Sequence, residues 1–492
     1  MKDWLSKWAI YSPNHIAIKE YETGKTYTYS ELNTAANQLA NVLTTEYGLR
    51  NTDRIVIVAE NCAEYVILLG VAQKTGIIIV PLNYRLAVGE IDYLLENSKP
   101  KMVIWEVKFA QLVTKTAYFN QIKYQIPLEN LEPIYKKSTK KSFQPVEIDD
   151  NQAAFILYTS GTTGFPKGAI YSHKMLFWNS VNTAISLIIN TESRTVNCMP
   201  PFHTGGLNVL LTPFLHRGGF VCLMKQFDAK AVLQLLESEE VTLFMAVPTM
   251  LKMMADEAYF AKANFPKLKY FIVGGEPMPI PLIEKWATKN VPVRQGYGMT
   301  EVGPNLTSLH QDDAIRKKGS IGRANFYVQT KVVNEKGEAV APNESGELLL
   351  KGPMVTPGYW QNETATNKAI KDGWFHTGDR VRQDEDGYFY VVDRIKNMFI
   401  SGGENVYPAE VERILIQHQA ISEVVVIGVS HEKWGEVGKA FVVLNDNQTI
   451  NLEEIKGFCL NKLSKFKIPK HLEILEELPK NASGKIDRKQ LK

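Results

Sequence analysis

At 492 residues the chain is too long for one compact core and calls for two or more domains. Its 56 Lys and Arg against 53 Asp and Glu leave a net charge of +3, which gives no argument for a nucleic acid or an anionic membrane as partner. The 45% apolar and 22% charged content is that of a soluble globular protein, and four scattered cysteines without a CxxC argue against zinc or a disulfide framework and suit a cytoplasmic setting.

The N-terminal MKDWLSKWAIYSPNH lacks an apolar core of signal-peptide length. RIVIVA (54–59) predicts a strand. The most apolar stretch, YVILLGVAQKTGIIIVPL, is cut by Gln73 and Lys74 too soon for a membrane span. It reads as a buried helix, a turn at Gly76 and a buried strand. Residues 134–150, with four lysines and a proline, read as a surface connection. FILYT (155–159) leads into the loop YTSGTTGFPKG (158–168), and a helix-like segment follows from 173. TLFMAVP (242–248), YFIVGG (270–275) and VPVRQGYG (291–298) continue the alternation. This pattern predicts an α/β class of fold, a large domain of α/β layers with largely parallel sheets. Its ligands are expected at the carboxyl ends of the strands.

From about residue 320 the texture changes to Gly-punctuated antiparallel hairpins, a β-rich subdomain. The last hundred residues predict a small α+β unit: helix PAEVERILIQHQ, strands SEVVVIGVS and GKAFVVLN, helix LEEIKGFCLNKL. The expected division is a large domain over 1–393, a connection at 394–396 and a small domain over 397–492.

The loop Thr159, Ser160, Gly161, Thr162, Thr163, Gly164 combines backbone N–H groups and hydroxyls that can wrap phosphate oxygens, and Lys167 adds a cation. It is not a Walker loop. Pro166 and Gly168 stand where that motif needs Gly and Ser or Thr. QGYGMTE (295–301) is likewise not a dinucleotide fingerprint, because Glu301 stands where the last glycine belongs.

YTSGTTGFPKG resembles the signature loop of the adenylate-forming superfamily of acyl-CoA synthetases, peptide-synthetase adenylation domains and luciferases. Further matches follow in order: PPFHTGGL (200–207), GGEPMP (274–279), QGYGMTE, GELLLKGPMVTPGYW (346–360), FHTGD (375–379), DRIKNMFISGGENVYPAEVE (393–412) and PKNASGKIDR (479–488). The resemblance spans almost the whole chain. It implies a large adenylating domain, a small mobile C-terminal domain and two half-reactions. ATP and a carboxylate give an acyl-adenylate and pyrophosphate, and a thiol then takes the acyl group.

The resemblance also assigns roles. The loop holds the β- and γ-phosphates, and Glu301, with Thr159, ligates Mg2+. Gly274, Gly275 and Glu276 form one wall of the adenine pocket; Gly296, Tyr297, Gly298 and Met299 form the other, with Tyr297 stacked on the base. Thr300 touches the α-phosphate, Asp379 accepts the ribose hydroxyls and Arg394 backs it. Taken alone, Lys485 belongs to a solvated basic tail; the resemblance makes it the lysine of the first half-reaction. Lys396 matches the hinge, and Gly402 and Gly403 line the thiol tunnel in the second half-reaction. Lys433 and Lys470 could each meet CoA phosphates, though solvation explains either one singly; Trp434 is expected near the domain interface.

For the acid, residues 198–207 lack the Asp that pairs with an amino group in amino-acid adenylating domains. His203 is expected to flank the carboxylate or gate the pocket. Phe202, Gly205, Leu207, Val247, Val273 and Pro304 are the expected apolar lining, together with Gly298. The reading is an AMP-forming acid–CoA ligase for a fatty or aryl acid, with ATP, Mg2+ and CoA and no membrane span. A ligase charging a free carrier protein and a 2-succinylbenzoate–CoA ligase remain open, and so does a homodimer.

Overall fold

The computed structural model describes residues 3–491 except 160–165, 395–396, 402–403, 433, 461, 464 and 482–484. The α/β expectation holds. A six-stranded sheet runs Tyr124–Pro127, Met102–Trp105, Arg54–Val58, Ile78–Pro81, Ala153–Thr159 and Lys167–Ser172, parallel except for the last pair. Every residue of Met102–Trp105 and Ile78–Pro81 is buried, as expected of parallel strands covered on both faces. Helix Ala63–Thr75 provides part of that cover and is buried at every position but Glu64. It ends on Gly76, whose φ is +71° and where a Cβ would stand 2.3 Å from Asn51 Oδ1.

A second sheet pairs Tyr270–Val273 with Leu243–Ala246 and Val293–Tyr297 in parallel, then adds the short antiparallel strands Thr307–Ser308 and Arg323–Ala324. A four-stranded sheet is built from Thr26–Thr28, Ile16–Glu20, Phe220–Leu223 and Arg194–Asn197. The β-rich region is an antiparallel sheet of Gln329–Val333, Ser345–Lys351, Trp374–Gln383 and Ile370–Lys371, to which Phe389–Arg394 adds. The small C-terminal unit begins its own sheet at Phe399–Ser401, around the long hairpin Ile421–His431 and Gly435–Leu444, with helices Pro408–Leu415 and Leu452–Cys459.

The helix expected from 173 is present, and one strand before it was not foreseen. Thr159 pairs with Lys167 across an antiparallel hairpin, and the helix His173–Ser186 starts only after the second strand, capped by Ser172 Oγ on Met175 N. All four cysteines are buried and unpaired. Among the described residues no helix is long and apolar enough to cross a membrane.

Candidate active site

Four chain segments converge at the carboxyl ends of the two parallel sheets. Strand Val293–Tyr297 ends by delivering Tyr297, whose hydroxyl donates to Asp379 Oδ2 at 2.6 Å. Asp379, on Trp374–Gln383, is 3% exposed. Its other oxygen meets Arg394 Nε at 3.1 Å, since Asp379 and Arg394 face each other across the hairpin. Its own N–H donates to Thr377 Oγ1 at 3.0 Å. Burial, then the negative charge of Asp379, pushes the Tyr297 phenol well above its usual range, so it stays a donor. A rigid, protonated ring beside a fixed carboxylate is a suitable floor for a nucleoside.

The chain after Tyr297 folds back tightly. A Cβ on Gly298 would lie 2.1 Å from the carbonyl oxygen of Pro304, so only glycine fits. The short helical turn Thr300–Val302 follows and carries Glu301. Glu301 Oε1 accepts from Tyr359 Oη at 2.9 Å and from Thr159 Oγ1 at 3.4 Å. Its Oε2 takes no hydrogen bond among the described residues. One carboxylate oxygen left open beside a hydroxyl suits Mg2+, which keeps waters and substrate phosphates as its other ligands. Ser160, Gly161, Thr162, Thr163 and Gly164 lie outside the described residues, while Lys167 sits with its ammonium 5.5 Å from the Tyr359 ring centre.

Gly274, Gly275 and Glu276 follow strand Tyr270–Val273, with Gly275 at φ +87°. A Cβ on Gly274 would stand 3.3 Å from Gly296 O, so the two glycine segments lie back to back. Glu276 is held above its usual pKa by burial, against the opposing charge of Lys485. Lys485 is lowered by burial and then by Arg394, with Glu276 and Asp379 opposing. Although the residue is largely exposed, its ammonium stands within electrostatic reach of both nucleotide-side carboxylates. Its loop is closed by Asn481 N to Lys485 O at 2.7 Å. The small domain is therefore docked with Lys485 over the large domain's site.

His203 lies beside it. Burial first, then the cations Lys485 and Arg85, lowers its pKa to about 4, and its buried Nε2 has no hydrogen-bond partner among the described residues. Next to it, Phe202 packs edge-on against Tyr84 at 5.0 Å, and Tyr84 stacks on Phe109 at 4.7 Å. The guanidinium of Arg85 lies 5.9 Å from the Phe202 ring centre. A π-helical turn, Gly205–Val209, follows. The position a Gly205 Cβ would take is 3.7 Å from Met199 and 3.9 Å from Met245.

The apolar lining needs two corrections. Val273 and Leu207 are 0% and 2% exposed and pack inside hydrophobic clusters, Val273 on a strand covered on both faces. Phe202 and Met245 are also buried, at 4% and 8% exposed; Gly205 faces Met199 and Met245, and Pro304 lies against Gly298. Trp434 is 43% exposed. Lys470 lines a groove of about 660 Å³ on the small domain with Lys439, His471 and Glu473. Lys396, Gly402, Gly403 and Lys433 fall outside the described residues. Sequence reasoning missed Tyr359, Arg85 and Tyr84. Tyr359 stood within a matching motif without a role, and nothing marked the other two.

The class these features define is the adenylate-forming enzymes, in which a small domain brings a lysine to a nucleotide held by the large one. Residues 5–360 match the model of the AMP-binding enzyme family, and residues 410–485 match that of the AMP-binding enzyme C-terminal domain. The chain belongs to this family. It is 37% identical to a feruloyl-CoA synthase of Amycolatopsis over 98% of this chain and 96% of that protein. It is 36% identical to the long-chain-fatty-acid–CoA ligase FadD13 of Mycobacterium tuberculosis, again over 98% and 96%. The solved o-succinylbenzoate CoA synthetase (MenE) of Bacillus subtilis, in complex with its acyl-adenylate, superposes with a TM-score of 0.89 at 32% identity over 100% of this chain and 98% of that one.

Proposed function

We propose that the chain is an ATP-dependent acid–CoA ligase for a fatty or aryl acid. The single observation that carries the first half-reaction is Lys485 standing among Glu276, Asp379 and Arg394 while Glu301 keeps one oxygen open. The acid's carboxylate oxygen attacks the α-phosphorus of ATP, forming the acyl–phosphate bond and breaking the bond to pyrophosphate. Both partners are anions, so positive charge must gather where they meet. Lys485 supplies it at the α-phosphate, and Lys167 and the loop hydroxyls hold the leaving pyrophosphate. Asp379 and Tyr297 hold the nucleoside; Thr300 stands beside Glu301. Bound Mg2+ supplies counter-charge to the phosphates, and Glu301 and Thr159 would hold it.

The second half-reaction needs Lys485 gone. We place the hinge at 394–396, between the large domain's last strand and the small domain's first, with 1–393 and 397–492 as the moving bodies. Gly402 and Gly403 would then face the CoA arm, and Lys470 its phosphates. The CoA sulfur attacks the acyl carbonyl, AMP leaves, and the thiol proton goes to solvent or to the neutral His203. Burial, the chief cause of its lowered pKa, does not depend on Lys485, so the imidazole stays uncharged at neutral pH and can accept a hydrogen bond.

The acid's class rests on the apolar Met199 and Met245 facing the Gly205 turn, with Phe202 before it. Arg85 beside Phe202 supports a second reading, an aryl acid with a distal carboxylate such as 2-succinylbenzoate. A pyrophosphate-release screen over fatty acids of graded length, cinnamate-type acids and 2-succinylbenzoate, with and without CoA, tests both. Release on amino acids alone would sink them. CoA-independent turnover with a carrier protein would favour a carrier-charging ligase instead.

The four free, buried cysteines support a reducing, cytoplasmic setting. A homodimer is supported by helix His173–Ser186. Its inner face carries the buried polar Asn179, Asn182 and Thr183, while Phe177 and Ile185 are exposed and continuous with exposed Tyr327 through Trp178 at 4.8 Å. Light scattering that finds a monomer for the parent chain rejects it.

A further inference from the structure

Tyr359 has a place in this site that nucleotide binding alone does not explain. Its hydroxyl donates to Glu301 Oε1 at 2.9 Å, the oxygen that Thr159 also reaches. Its ring lies under Lys167, 5.5 Å from the ammonium. One side chain thus touches both opposite charges of the phosphate site. No ion pair between Lys167 and Glu301 occurs among the described residues.

The backbone fixes this arrangement. Thr356 N donates to Glu301 O at 2.7 Å. Ile170 N donates to Gly358 O at 3.0 Å, and Trp360 N to Gly168 O at 2.7 Å. Ala169 and Tyr359 form an antiparallel bridge. Thr356 Oγ1 donates to Ile170 O at 2.7 Å. The segment 356–360 is therefore stitched to the second strand of the phosphate-loop hairpin on one side and to the Glu301 turn on the other.

We propose that Tyr359 is a positioning residue with two duties. Its hydroxyl pins Glu301 Oε1, which fixes the carboxylate's rotation and presents Oε2 to the metal. Its ring separates Lys167 from Glu301, so that the lysine stays available to pyrophosphate and the carboxylate to Mg2+. Without the ring the two charges are free to pair and neutralise each other. Partners that orient a metal ligand in this way commonly cost about 10–100-fold in metal affinity when removed. The inference rests on Glu301 as the metal ligand.

The test is Mn2+ binding to the full-length enzyme with the non-cleavable α,β-methylene analogue of ATP, read by the electron-spin-resonance signal of free Mn2+. Tyr359→Phe keeps the ring and loses the hydroxyl. It is expected to weaken Mn2+ about 10-fold, with a melting temperature within about 2 °C of the parent. Tyr359→Ala is expected to weaken Mn2+ further and to raise the KM for Mg2+ more than it lowers kcat at saturating Mg2+. Glu301→Gln separates the two levels of the argument. If Glu301→Gln loses Mn2+ and Tyr359→Phe binds it as the parent does, the positioning role is wrong and the metal reading stands. If Glu301→Gln also binds Mn2+ normally, both are wrong.

Discussion

Replacing Asp379 by Asn removes one charge from the nucleoside side of the site and leaves its shape. In the structure the carboxylate accepts from the Tyr297 hydroxyl at 2.6 Å and faces Arg394 Nε at 3.1 Å. The first contact is short and buried, and hydrogen bonds to charged groups contribute about 1.5–3 kcal/mol each. The second involves a half-exposed arginine, which limits it to about 1 kcal/mol or less. The amide still accepts from Tyr297, so the fold should lose only part of the first figure. ATP loses more, because the ribose hydroxyls would donate to a neutral oxygen instead of an anion. A loss of about 1.5–3 kcal/mol corresponds to a rise of roughly 10–150-fold in the KM for ATP. ATP–pyrophosphate exchange over a range of ATP gives that number directly. The parent enzyme should also discriminate against 2′,3′-dideoxy-ATP, and Asp379→Asn should lose most of that preference. An unchanged KM for ATP, or full retention of the discrimination, would show that Asp379 does not hold the ribose.

Lys485→Ala should cut ATP–pyrophosphate exchange by about 100–1,000-fold, the usual effect of removing one preorganised charge donor, while thioester formation from supplied acyl-adenylate stays within a few-fold. Equal losses in both assays would contradict a role confined to the first step. Gly298→Ala must displace Pro304, since the two atoms would stand 2.1 Å apart; overpacking of this kind costs about 1–3 kcal/mol, visible as a lowered melting temperature and weaker nucleotide binding. His203 and His216 both have pKa values lowered to about 4 from an ordinary 6.5, chiefly by burial. In that window the unfolded chain binds the protons and the folded one does not, so stability should fall as pH drops from about 6.5 to about 4. Denaturant titrations across that range check it, and a flat profile would count against neutral, buried imidazoles.

Much of the architecture could be read before any coordinates. Arg54–Val58 announces itself by a β-branched run, Tyr270–Val273 by an aromatic and β-branched run ending on Gly274, and the buried helix before Gly76 by its apolar continuity. The hairpin at Lys167–Ser172 was hidden because KGAIYS opens with weak strand formers, and the helix cap at Ser172 is the stronger local signal. Phe202 and Gly205 lie in a turn; Val273 lies on a strand covered on both faces, and one sequence does not say which strands are so covered. Tyr359 reaches Glu301 across 58 residues while its backbone bridges to Ala169, long-range contacts with no local pattern. Arg85 follows a strand end like many others, and only its neighbours Phe202 and His203 give it meaning.

The central claim is that one site forms an acyl-adenylate and then passes the acyl group to CoA. A quenched single-turnover reaction tests it most directly, with a responsive acid and ATP mixed first and CoA added second. The account predicts one pyrophosphate per site and an acyl-adenylate trappable by hydroxylamine before CoA is added. On addition of CoA, AMP and acyl-CoA should appear in equal amounts. Release of ADP and phosphate instead, or an acyl-adenylate that CoA leaves untouched, would contradict it.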